Sequence, residues 1–134
     1  MTAGKETTYV APPGFPKPLA ALSYATKTKP NASIIFVSGL GSIDDDGKSL
    51  VGFNIYEQTC RCMDRIAKVL AAAEATLDDV VNLRVFITDI ENSEKCCEAY
   101  SKYFNKLPAV VLEALPGLIH GPGQLVEIEA TAAV

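Results

Sequence analysis

The sequence predicts an α+β fold, a mixed β-sheet with two helices packed on one face. Two segments carry a helical period, near residues 54–73 and 92–105, and between them Val81 to Thr88 alternates with a period of two. Strand-like runs stand before the first helix and after the second. Composition agrees: 49% of the 134 residues are apolar and 21% are charged. A chain of this length is expected to form one domain over residues 1–134 and to bury roughly two-thirds of the surface its unfolded form exposes.

Residues 1–21, with Pro12-Pro13, Pro16 and Pro18, read as an extended N-terminal arm. Leu22 to Thr26 is a short strand, followed by a Lys/Pro/Asn turn. Ile34-Ile35-Phe36-Val37 is a buried strand ended by Gly39, and Asp44-Asp45-Asp46-Gly47 is turn chemistry. Asn54 and Glu57 have the spacing that caps a helix N-terminus. Beyond them Met63, Ile66, Val69, Leu70 and Ala73 share one face, which leaves Arg61, Asp64, Arg65 and Lys68 to solvent. Next, Val81, Leu83, Val85 and Ile87 alternate with Asn82, Arg84, Phe86 and Thr88 as a strand with one face on the core. A second helix is expected from Asn92 or Ser93 to Asn105. Strands at Ala109–Leu115 and Gln124–Ala133 finish the chain, with Pro116-Gly117 and Gly121-Pro122-Gly123 between them.

The net charge is −4, and the densest basic stretch is only Lys27-Thr28-Lys29. Binding a phosphate backbone takes a clustered cationic face, so no nucleic-acid partner is expected. No run approaches the 18 or so apolar residues that span a bilayer, and Met1 to Glu6 has no signal-peptide apolar core. The expectation is a cytoplasmic protein without a membrane partner. The cysteines stand as Cys60-x-Cys62 and Cys96-Cys97 inside helices, where near neighbours point to different faces. With one His in the chain, no metal site is expected. No Gly-rich phosphate loop is present, so no cofactor is implied.

One sheet face is left without helices. It would carry Asn82, Arg84, Phe86 and Thr88, with Glu127 and Glu129 in step on the last strand. That mixture suits a subunit interface; a solvated face is the alternative, and composition does not choose between them.

Several segments are recognisable: Phe36-Val37-Ser38-Gly39, Tyr56-Glu57-Gln58-Thr59, Ala72 to Val81, Val85-Phe86-Ile87-Thr88-Asp89 and Leu125-Val126-Glu127-Ile128-Glu129-Ala130. Together they resemble the Rid family, also called YjgF/YER057c/UK114, from about Leu22 to the C-terminus. The resemblance implies a chorismate-mutase-like protomer in a homotrimer, with ligand clefts between subunits. It also implies hydrolysis of enamine/imine intermediates released by amino-acid dehydratases, in which a family Arg clamps the substrate carboxylate. At that position this chain has Val110, within Pro108-Ala109-Val110. Leu22 stands at the family's Tyr position, Cys97 where a helix Asn is often found, and Leu112 at a Cys position. The backbone at Gly39 and the carboxylate of Glu127 survive.

Those changes all run one way. A planar guanidinium suits a carboxylate, whereas Val110 leaves a bound anion unpaired in the cleft, at a cost of several kcal/mol. The expected ligand is a neutral, largely apolar small molecule. Glu127 reads as a general acid/base, with apolar Val110 and Leu112 expected close by, or as a carboxylate tying strands together; Glu129 reads as structural. His120, on the loop between the last two strands, is a second catalytic candidate or a solvated side chain. Cys97 lines a cleft or fills core, and Tyr24 offers a hydroxyl. The leading expectation is isomerisation, cyclisation or hydrolysis of an unstable intermediate in a specialised pathway. A 2-imino-acid deaminase and a non-catalytic binding or chaperone-like trimer are the alternatives.

Overall fold

The computed structural model describes residues 6–134. Its main sheet has four strands in the order β3-β6-β4-β5: β3 (Ile34–Gly41), β4 (Val80–Ile87), β5 (Ala109–Ala114) and β6 (Val126–Ala133). β4 and β5 run parallel, while β6 is antiparallel to both β3 and β4. Helices α1 (Ile55–Ala72) and α2 (Ser93–Ser101) cover one face, and the fold is α+β as expected.

The core lies between sheet and helices. Leu83, Val85 and Ile87 of β4 and Val126, Ile128, Ala130 and Ala132 of β6 meet Cys62, Met63, Ile66 and Leu70 of α1 and Cys96 and Tyr100 of α2. Period two in the strands and period 3.6 in α1 put these residues on facing surfaces. α1 begins where Asn54 predicts: its side chain accepts the Glu57 N–H at 2.8 Å, and Glu57 in turn accepts the Phe53 N–H at 2.9 Å. Val69 and Ala73 leave the expected apolar face: Val69 and residues 71–74 are all exposed, and in the last turn Leu70 alone reaches the core.

The strand expected to be buried and to end at Gly39 instead runs on to Gly41, with Ile34 and Phe36 exposed because they point away from the helices. Other boundaries differ too. The arm is partly a strand, since β1 (Thr8–Val10) pairs antiparallel with β2 (Ala25–Lys27) in a small second sheet. Residues 1–5 of the expected arm lie outside the described residues. α2 stops at Ser101 rather than Asn105, and a 3-10 turn, Ile90–Asn92, leads into it. Among the described residues, no helix is long and apolar enough to cross a membrane.

Candidate functional site

The helix-free face carries the residues the alternation assigned to it. Arg84 sits opposite Glu129, and Phe86 opposite Glu127. The first pair is closed: the Arg84 guanidinium meets the Glu129 carboxylate at 3.1 Å and lies 5.6 Å from the Phe86 ring centroid. Glu127 is different. It is half-buried, and among the described residues its carboxylate has neither an ion pair nor a hydrogen bond. Its cross-strand neighbours are Phe86 on β4 and Gly41 on β3.

Strand β3 is built to receive it. Its register with β6 slips between Val37–Ala130 and Leu40–Ile128, three steps against two, so an extra residue bulges out at Ser38-Gly39. A side chain at Gly39 would put its Cβ 2.8 Å from Glu127 Oε2. Only glycine leaves room for the carboxylate to lie along the strand. At Gly41, two residues on, a Cβ would come 2.7 Å from Gln124 Nε2 and 3.2 Å from His120 Cδ2. Gly39-Leu40-Gly41 is therefore a seat for three side chains from the β5–β6 loop and β6.

His120 is exposed to solvent, as one of its two readings has it, while its backbone is held in place. Its backbone N–H donates to Gln124 Oε1 at 2.8 Å, and Gln124 Nε2 donates to the Val126 carbonyl at 3.3 Å. Gln124 itself is fully buried. The loop is pinned again by Gln58 of α1, which donates to the Gly123 carbonyl at 2.9 Å and accepts the Leu125 N–H at 2.9 Å. Gln124 and Gly41 escaped the sequence reading. The only available signal was two glycines spaced to share one strand face.

The remaining candidates lie elsewhere. Val110 and Leu112 pair with Leu83 and Val85, so they face the helices, on the opposite side of the sheet from Glu127. The expected apolar neighbourhood of Glu127 is corrected accordingly: β4 lies between β5 and β6, and facing alternates along each strand. Nor can the His120 loop close a cleft between Val110 and Glu127 within one protomer. Tyr24 adjoins the start of β5 through the Ser23–Ala109 bridge, but its hydroxyl donates to the Pro16 carbonyl at 2.7 Å and its ring packs edge-on against Phe15. Cys97 is half-buried, its sulfur 3.5 Å from the Tyr100 hydroxyl, which donates to the Ala21 carbonyl at 2.7 Å. One protomer thus presents two groups: Gly39, Glu127 and His120 towards the β3 edge, and Tyr24, Cys97, Val110 and Leu112 towards the β5 edge.

The arginines are all engaged. Arg61 donates to the Ile43 carbonyl at 3.0 Å and meets Asp45 at 3.3 Å, and Arg65 donates to the Gly41 carbonyl at 2.8 Å. The expected solvent-facing role of these two is overturned, because backbone carbonyls leaving the end of β3 need donors and α1 supplies them. Among the thiols, burial pushes Cys96 up to about 12 and Cys62 higher, so both are inert core groups.

Comparison with known proteins agrees with the fold. The profile of the family described as Endoribonuclease L-PSP matches residues 15–134. RutC family protein SSO3206 of Saccharolobus solfataricus is 43% identical over 97 residues, covering 72% of this chain and 75% of that protein. Protein HMF1 of Saccharomyces cerevisiae is 36% identical over 120 residues, covering 87% and 88%. The crystal structure of Rv2704 from Mycobacterium tuberculosis, described as a YjgF/YER057c/UK114 family member, is 35% identical with a TM-score of 0.66, covering 84% of this chain and 86% of that one. The chain belongs to the Rid (YjgF/YER057c/UK114) family. Its fold also matches the Rid protein YyfB from Yersinia pestis at a TM-score of 0.87, with 24% identity over 96% of this chain and 99% of that one.

Proposed function

We propose that the chain is a homotrimeric, cofactor-independent enzyme that uses Glu127 as an acid/base on a neutral, largely apolar small molecule. The observation that carries this reading is the contrast between the two carboxylates of β6. Glu129 is closed by Arg84, whereas Glu127 is half-buried, unpaired among the described residues and seated over Gly39. A half-buried carboxylate without a partner costs stability, so its retention points to work on a ligand. The division of the candidates between opposite sheet edges supports a cleft completed by a neighbouring subunit. There the Val110 and Leu112 edge of one copy would face the Glu127 edge of the next.

The arginines support the choice of a neutral substrate. All three are bonded elsewhere, and Val110 offers no donor to an anion. Arg84 favours a second reading, a 2-imino-acid deaminase, because it shares the Glu127 face and its side chain is 52% exposed. An RNA-cleaving role is not favoured, given the net charge of −4. Isomerisation, cyclisation and hydrolysis of an unstable intermediate all suit a lone carboxylate in an apolar cleft.

The test compares substrates. Hydrolysis of 2-iminobutyrate should run little faster than in buffer, and Val110→Arg should raise it. Rapid hydrolysis by the unmodified protein that is lost in Arg84→Gln would establish the deaminase instead. Absence of turnover on both anionic and neutral imines would leave a binding trimer.

A further inference from the structure

The proton chemistry proposed for Glu127 needs somewhere for the second proton to go, and the loop that leads into its strand supplies a candidate. We infer that His120 is the second proton-transfer group of this site, held there by Gln124, and that the pair suits substrates undergoing a 1,3-proton shift. This rests on the reading of Glu127 as an acid/base.

Three observations place the imidazole. Its Cδ2 lies 3.2 Å from where a Gly41 Cβ would be, and Glu127 is the direct cross-strand neighbour of that same Gly41. The imidazole and the Glu127 side chain therefore flank one strand position, with the carboxylate lying over Gly39 two residues away. The loop bringing His120 there is clamped from within by Gln124, a fully buried amide with both ends bonded to backbone. A loop that only had to join two strands would not need a buried bracket at its one ionisable side chain. Finally, the glycine at position 41 is what admits the Gln124 and His120 side chains beside the strand.

Two proton-transfer groups on one stretch of strand suit one reaction: a substrate held between them gives a proton to one and takes a proton from the other. On a neutral ketone or imine, the Glu127 carboxylate takes a proton from the carbon next to the C=O or C=N. The C–H electrons form the C=C bond, and the former π pair moves to oxygen or nitrogen. That atom takes a proton from protonated His120. The product is the enol or enamine, the site is left with a neutral carboxyl and a neutral imidazole, and water returns the proton from one to the other. No oxidant, reductant or co-reactant is consumed.

The chain has a single histidine, so one imidazole resonance reports on the pair without assignment. In NMR spectra recorded at one fixed pH, Glu127→Gln should move the His120 ring resonances, because the two side chains flank the same Gly41. The other nearby charges, Arg65 on the Gly41 carbonyl and Arg61 with Asp44 and Asp45, are the same in both proteins. Unmoved ring resonances overturn the pairing, whatever Glu127 does in turnover. The catalytic arm follows deuterium uptake from D2O at the α-carbons of 4-phenyl-2-butanone. The protein should accelerate it over buffer, Glu127→Gln should lose about 10²-fold, and His120→Gln about tenfold or more. Full activity in His120→Gln with loss in Glu127→Gln overturns the inference and leaves the Glu127 reading standing. Full activity in Glu127→Gln removes that reading instead. Exchange no faster than in buffer overturns the substrate class.

Discussion

The carboxylate of Glu127 owes its position to an absence on the neighbouring strand, the missing side chain of Gly39. A methyl there would come 2.8 Å from Glu127 Oε2, and the carboxylate, as the end of a flexible chain, would be the group to move. Gly39→Ala should therefore leave the fold intact, with a melting temperature within a few degrees of the parent, while ketone exchange falls tenfold or more. Unchanged exchange with an unchanged melting temperature would mean that the seat has no bearing on the chemistry. At this scale the sequence was informative about identity and poor about surroundings. Glu127 and Glu129 could be seen to share a strand face, but that Arg84 pairs with only one of them depends on the register of β4 against β6. Arg61 and Arg65 looked solvent-exposed because a helix period ranks residues by polarity. It does not show that Gly41 and Ile43 turn carbonyls towards them.

Elements were legible where a local rule governs them. The Asn54 cap, the alternation of β4 and the turn at Asp44–Gly47 are all determined by residues within a few positions of each other, and all are present. The β1–β2 pairing was not legible, since strands of three residues carry too few positions to show a period. The order β3-β6-β4-β5 was equally hidden, and with it the separation of Val110 from Glu127. Tyr100 illustrates how α2 ties the N-terminal segment to the sheet. Its buried hydroxyl, pushed well above the ordinary phenol range by burial, stays protonated and donates to the Ala21 carbonyl. Two residues on, Ser23 donates its N–H to the Pro108 carbonyl, next to β5. Tyr100→Phe orphans the Ala21 carbonyl and should cost about 1–2 kcal/mol, with faster hydrogen exchange at the Ser23 amide than at β4. Uniform exchange throughout would show that the hydroxyl does not anchor this segment.

For the whole molecule, the exposed sheet face is the feature that demands an explanation. Phe36 is 80% exposed on it, with Ile34 and Val111 also open, beside the Arg84–Glu129 pair. Apolar residues rimmed by charge suit an association surface, which the proposed trimer would cover. The same face bears Glu127, and the residues that would complete a cleft around it lie at the far edge of the protomer. Assembly and chemistry are thus one claim, and the molecular mass in solution tests it most directly. Light scattering at micromolar concentration should give about three times the 14.3 kDa chain. A clean monomer would contradict the shared cleft and, with it, the proposed division of the site between two copies.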